Sequence, residues 1–427
     1  MPLLNHLHRG RRALSDFTWI FGGRIVAALA TVVGIRAITE LMSPSAYGAG
    51  ALALGISATF LAIGSTPFLQ AIARLHPEAV ARASEQSLEL ANRRILGRAQ
   101  LGVAVAGATL ALCLLAVDSP HGAMAAFIGV LAAIESRRDE RAMLLNVSRR
   151  HRAQAVLSAS DAILRLACAV LFLHLFVPTA EFLLLGYAAG TLFATLLATR
   201  PPRPHTADAA VEGAPPWDCR AEILRFAAPL VPTGILSCIL AFGDRYILAG
   251  MLDLHDVGIY AAAYGLVSRS FGMVQSSWEL AIRPRFMKAV AEGDHDAARK
   301  GFRRLLIGTL LLAGGLAIVF VMVREWITGL LLATTFAPAA DLMGWFAFGL
   351  FVRAISSCYL LILFAYKRTR MVLLVTAASS TLSVAAVVLG AQLGGLVGAA
   401  AACPVYFALE LSILLAVTRG IQVRRQD

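Results

Sequence analysis

Apolar residues run along this chain in blocks of about 20 or more, separated by short polar segments. A block of that length, wound at about 1.5 Å per residue, crosses the ~30 Å hydrocarbon core of a bilayer. The pattern predicts about twelve transmembrane helices. They lie near residues 16–38, 48–72, 96–117, 120–147, 153–177, 180–198, 223–251, 257–284, 304–323, 340–366, 370–391 and 394–418. Strand-like alternation is absent, which excludes an outer-membrane barrel. The fold class expected is therefore all-α integral membrane. The widest polar break, PPRPHTADAAVEGAPPWDCR, is rich in Pro and Ala and reads as a flexible linker. It sets a six-helix bundle at 1–199, a cytoplasmic linker at 200–222 and a second six-helix bundle at 223–427.

An internal repeat agrees with that division. Shifting the sequence by 210 residues matches Gly48 with Gly258, Ala51 with Ala261, Ala53 with Ala263 and Gly55 with Gly265. Ala71 and Ile72 then meet Ala281 and Ile282. With an even number of spans per half, the repeat is a parallel one, related by an axis along the membrane normal.

Composition strengthens the membrane reading. Of 427 residues 58% are hydrophobic and 15% charged, with mean hydropathy +0.73, too apolar for a soluble surface. A net charge of +12 would suggest nucleic acid in a soluble protein, but its placement excludes that partner. With the amino terminus inside and every span crossing, the inside segments hold 31 of the 38 basic residues. The outside loops hold Arg324 alone, and reversal would violate the positive-inside bias at every loop. Both termini are thus expected in the cytoplasm, and the basic start HLHRGRR reads as the flank of a retained first helix. The stretch PEAVARASEQSLELANRRILGR reads as an amphipathic helix on the inner leaflet. None of the six cysteines forms a CxxC or Cys/His cluster, so no zinc site or disulfide framework is indicated.

Catalytic motifs are missing. There is no GxxxxGK[ST] around Lys288, Lys300 or Lys367, no HExxH and no GxSxG. No large outer loop offers a catalytic domain for a glycan polymerase or ligase. The sequence points to moving a substrate, not converting it, with no cofactor.

Candidate chemistry lies in the charges inside spans: Arg24, Arg36, Arg165, Arg245, Arg269 and Arg353. Arginine at a bilayer centre costs about 2.5–3.5 kcal/mol on insertion scales, so each needs a partner or a wet cavity. Arg165 follows Asp161 by one turn, the order expected of a helix ion pair. Arg36 can snorkel to the outer interface. Asp244 and Arg245 are adjacent and so do not face each other; they are read either as interhelical pairing or as cavity lining. Arg24, Arg269 and Arg353 have no acid one turn away. Each either finds an acid or carbonyl on another helix or forms an anion site, because guanidinium matches phosphate oxygens with paired donors. Arg269 sits on the most polar span, near Tyr264, Gln275, Ser276 and Glu279. Glu279 and Glu410 are read either as ion-coupling groups or as plain hydrogen-bonding groups.

The run RAITELMSPSAYGAGALALGISATFLAIGS resembles the amino-terminal signature of polysaccharide-biosynthesis membrane proteins, the oligosaccharide repeat-unit flippases. FAAPLVPTGILSCILAFGDRYILAGMLDLHDVGIYAAAYGL is similar to their second-half segment, and GGLVGAAAACPVYFALE to their last helix. The resemblance spans nearly the whole chain. It implies the multidrug/oligosaccharidyl-lipid/polysaccharide exporter fold, with two six-helix bundles facing a central cavity and alternating access. It further implies a bacterial inner-membrane location and export of undecaprenyl-diphosphate-linked oligosaccharide for surface polysaccharide. Implied partners are that lipid-linked substrate, membrane lipids, and glycan polymerase and chain-length proteins. In related lipid II flippases, cavity arginines on the first and eighth helices matter, and Arg24 and Arg269 lie on those helices here. The substrate set expected is Arg24, Arg269, Arg353 and Gln275, with Asp244, Arg245, Glu279 and Glu410 for ion coupling or cavity lining. The alternative of the same fold is a drug or metabolite cation antiporter, which needs an acidic cavity.

Overall fold

The computed structural model describes residues 22–23, 26–27, 29–82, 84–116, 122–148, 150–198, 218–366 and 368–423. They are almost wholly helical. After α1 (29–41) come α2 (Pro44–Gly64), α3 (Thr66–Ala81), α4 (Glu85–Ala116), α5 (Gly122–Val147), α6 (His151–Leu175) and α7 (Ala180–Leu197). The short α8 (Cys219–Ala227) is followed by α9 (Leu230–Met251), α10 (Leu254–Glu292), α11 (His295–Met322) and the short α12 (Arg324–Leu331). A 3-10 turn (Thr334–Phe336), α13 (Ala339–Ala365) and α14 (Thr369–Val423) complete the chain, α14 being two helices merged across a kink at Gly394 and Gly395. Among the described residues, 8 helices are long and apolar enough to cross a membrane. Each expected span meets a helix, the first being described only in part. The protein is an all-α, multi-pass integral membrane protein.

The chain forms two compact units. One holds Ala53–Ile235 with the described residues up to Leu41; the other holds Met42–Leu52 and everything from Leu236.

In the first unit, α6 packs on α7 and α5 on both α4 and α7. Glycines permit the α6–α7 approach: a Cβ at Gly186 would lie 2.6 Å from Ala169 Cα, and one at Gly190 within Leu164 and Arg165 backbone. Ala53, Ile128, Leu131, Leu184 and Ala188 form the apolar core where α2, α5 and α7 meet. The expected span 48–72 is broken. Its helix ends at Gly64, and Pro67 sits in the first turn of α3, where its missing N–H costs nothing. The expected surface helix is also corrected. Its residues form the end of α3 and the start of α4, which then runs unbroken into the membrane. Its apolar side is covered by protein: Ala79, Leu88 and Ile95 are buried against Cys219 and Ile223 of α8. Asp218 fixes the start of α8, its carboxylate accepting the Arg220 and Ala221 N–H groups.

In the second unit, α10, α11 and α13 pack together, and α13 lies along α14. Phe286, Leu305, Cys358, Leu361 and Ile362 form one core there. The Asp253 carboxylate caps α10 by accepting the Asp256 N–H at 2.8 Å, and Gly293, left-handed at φ 74°, ends it. The opening of α2 belongs to this unit for three reasons. Tyr246 donates its hydroxyl to Leu52 O at 2.8 Å. The Tyr47 ring meets Phe336 edge-on at 5.6 Å. Finally, α2 and α10 cross backbone to backbone: a Cβ on Gly48 would collide with Leu254 O, and one on Gly258 with Pro44 O. Pro44 and Leu254, like Gly48 and Gly258, are mates under the 210-residue shift, so the contact is reciprocal.

Candidate functional site

The described candidate residues of the second unit lie on α9, α10, α13 and α14. Asp244 and Arg245 of α9 are both buried, and their side chains do not pair. Asp244 accepts its neighbour's backbone N–H at 2.8 Å. The Arg245 guanidinium lies over the Phe242 ring at 5.1 Å and the Tyr264 ring at 5.6 Å, and its Nε has no partner among the described residues. Aromatic faces thus flank this cation beside the neighbouring Asp244.

Arg353 has no acid one turn away but finds one on another helix, one of the two alternatives left open for it by its sequence. Its Nη1 lies 3.5 Å from Glu410 Oε2 on α14, and the guanidinium covers the Phe407 ring at 5.0 Å. Glu410 is buried, so the pair holds its charge out of hydrocarbon. An anion at Arg353 would compete with Glu410.

Gln275 and Glu279 stand one turn apart on α10. The Gln275 amide donates to Glu279 Oε1 at 3.0 Å and to Ala354 O at 3.3 Å, and the Ser357 hydroxyl of α13 donates to the same Glu279 oxygen at 3.3 Å. Glu279 is therefore a hydrogen-bonded junction between α10 and α13. Trp278 closes it from the α11 side, donating from Nε1 to Leu305 O at 3.1 Å.

Arg269 differs from all of these. Its side chain is exposed, and it has no hydrogen bond or ion pair among the described residues. It sits 15 residues along α10, about 22 Å from the Leu254 end at ~1.5 Å per residue. Exposure changes along that helix. From Val257 to Val267 nearly every side chain is buried, with Tyr260 and Tyr264 packed edge-on against Phe346. From Arg269 onward Gly272, Met273, Arg283 and Arg285 are exposed. Arg24 lies outside the described residues.

The first unit holds a polar network that the sequence reading missed. Arg165 ion-pairs with Glu135 of α5 at 2.5 Å and stacks over the Tyr187 ring at 4.5 Å. The expected Asp161–Arg165 pair gives way to this arrangement, and Asp161 faces Arg138 at 3.5 Å instead. Glu135 and Arg138 are three residues apart on α5, so both address α6 at once. Ser57 of α2 donates to Glu135 at 3.1 Å. At the next residue of α5, Gln100 donates to Ser136 at 2.8 Å and Ser136 to Ser65 at 2.9 Å. The sequence signal was Glu135 itself, the first acid after the apolar run that begins at Gly122.

No family profile matches the chain, and no curated protein matches it in sequence. Solved structures do. A structure of lipid II flippase MurJ in an inward closed conformation superposes with TM-score 0.68 at 12% identity, covering 95% of this chain and 87% of that one. An outward-facing multidrug resistance MATE family transporter of the MOP superfamily gives TM-score 0.63 at 12% identity, over 96% and 95%. The Vibrio cholerae MATE transporter VcmN gives 0.57 at 13%, over 96% and 97%. These neighbours are transporters, not enzymes. Over 95–96% of its length the chain shares the all-helical fold of these solved transporters.

Proposed function

We propose that this protein is a flippase that carries a lipid-linked, diphosphate-bearing oligosaccharide across the membrane by alternating access. The observation that carries the reading is Arg269: an exposed guanidinium with no partner among the described residues, well inside α10, whose residues 257–284 are expected to span the membrane. Facing lipid there, it would cost about 2.5–3.5 kcal/mol. Facing a wet cavity, it presents paired donors that suit phosphate oxygens. A sugar diphosphate cannot cross hydrocarbon unaided, since each desolvated polar group costs several kcal/mol. The likeness to a lipid II flippase supports the same substrate class. In this reading Arg269 holds the diphosphate, and the lipid tail stays in the bilayer. Arg353 is left to Glu410. Asp244, Arg245 and Glu279 belong to ion coupling or to cavity lining. The termini face the cytoplasm of a bacterial inner membrane, and polymerase and chain-length proteins act on the product.

The test is made in a deletion strain of the native host. Lipid-linked oligosaccharides are extracted and assigned to a leaflet. A complete repeat unit held on the cytoplasmic leaflet supports flipping and identifies the glycan. Normal surface glycan with no accumulated intermediate rejects it in favour of a cation antiporter. Complementation with Arg269→Ala at normal protein level should fail to restore export.

A further inference from the structure

The exposed side of α10 carries a second arginine in register with the first. Residues 269, 276 and 283 are seven apart, so they lie within about 40° of one another around a helix of ~3.6 residues per turn. Arg269 and Arg283 are both exposed, and Arg283, like Arg269, has no hydrogen bond or ion pair among the described residues. Between them the same face bears Gly272, Met273 and Ser276, small or flexible groups that leave room for both guanidinium heads. The two arginines stand about 21 Å apart along the axis. Toward the Leu254 end, the face continues through Ala262 to Gly258 and is buried there, ending at the backbone contact with Pro44. The face is thus shut at one end, and its two cations lie on the open stretch.

Resting on the flippase reading, we propose that Arg283 is a second anion station on this face. It captures the diphosphate of the lipid-linked substrate near the Glu292 end and passes it to Arg269. Two sites in series suit a ligand that must be drawn along a helix, because each cation need only bind the anion firmly enough to hold it and loosely enough to release it. A lone Arg269 about 34 Å from the Glu292 end of the helix would instead have to draw a doubly charged group through unassisted. The seam at Gly258 prevents further passage until α2 and α10 separate.

The experiment uses the full chain in lipid nanodiscs and measures binding of undecaprenyl diphosphate. The variants are Arg283→Gln, Arg283→Lys and Arg269→Gln. A charge-assisted paired hydrogen bond changes affinity by about ten- to hundred-fold. Arg283→Gln should show a loss of that size and a slower association rate that is less sensitive to salt. Arg283→Lys, which preserves the charge and the topology, should recover only part of it. Wild-type binding by Arg283→Gln together with loss in Arg269→Gln would overturn the second station and leave the flippase reading standing. Wild-type binding by both glutamine variants would sink both proposals. Full recovery by Arg283→Lys would reduce Arg283 to a topology charge and overturn the station. Equally tight binding of inorganic pyrophosphate would overturn the assignment to a lipid-borne diphosphate.

Discussion

Replacing Gly258 with alanine adds one methyl group at a place where no side chain can move aside. That methyl would lie 1.9 Å from Pro44 O and 2.6 Å from Pro44 C, both backbone atoms. Restoring an ordinary contact of about 3.5 Å requires α2 and α10 to part by roughly 1.5 Å. The same movement would stretch the 2.8 Å Tyr246–Leu52 hydrogen bond and the edge-on contact of Tyr47 with Phe336. Overpacking of this kind costs about 1–3 kcal/mol, offset by up to about 1 kcal/mol for alanine over glycine in a helix. The net expectation is a loss of about 1–2 kcal/mol, at the upper end because the obstacle is backbone. Equilibrium unfolding of the purified protein in mixed SDS micelles would read it. Gly250→Ala is the control, since a Cβ there meets nothing within 4 Å; it should be neutral or slightly stabilising. Because Gly48→Ala would meet Leu254 O and Gly258 N across the same crossing, one separation accommodates both changes. The double variant should therefore cost little more than the worse single one. A Gly258→Ala protein as stable as wild type, or strictly additive losses, would refute the reciprocal contact.

Other expectations follow from the same kind of geometry. Arg165→Ala should lower folded yield by the equivalent of about 3–5 kcal/mol, because it leaves Glu135 buried without its cation. An Arg165→Ala/Glu135→Gln double variant should regain much of that loss in the same unfolding assay. Gly190→Ala should separate α6 from α7, since its Cβ would overlap Leu164 and Arg165 backbone. Faster proteolysis between 151 and 197 than in wild type would report it. Arg353→Ala should destabilise by about 1–3 kcal/mol, less than Arg165→Ala because Arg353 is 44% exposed, and Glu410→Gln in the same chain should relieve it. Equal stability of the two single variants would contradict the difference in burial.

What could be read from sequence followed from what periodicity measures. Among the described residues the apolar blocks each fell on a helix, because helix length and hydrocarbon thickness are linked by one number. They did not locate the break at Ser65, where Pro67 starts a new helix without interrupting the apolar run. Ion pairing was not legible from spacing, even for partners on one helix. Arg165 sits one turn from Asp161, yet it turns to Glu135 on α5, and nothing in the linear spacing of residues 135 and 165 announces that they meet. The same holds for Arg353 and Glu410, each recognised as an intramembrane charge but not as the other's partner. The repeat carried more than its scattered small residues suggested. Gly48 and Gly258 matched under one shift, and the structure brings those two positions face to face.

The hairpin inside α14 bears on how the chain enters its membrane. Its two helices turn on Gly394 and Gly395 alone and press together so closely that a Cβ on Gly390 would strike Gly398 O, and one on Gly398 would strike Gly390 O. Two residues are too few to hold one helix in lipid while the other waits in water, so the two are expected to insert as a pair. A pair inserted in that way returns its ends to the same side. Arg370 and Arg419 therefore stand at the same end of the folded-back pair, where Val372 and Val375 pack with Leu414. This tail carries its own topological memory, and a truncation within it would strand an unclosed helix, not remove a harmless end.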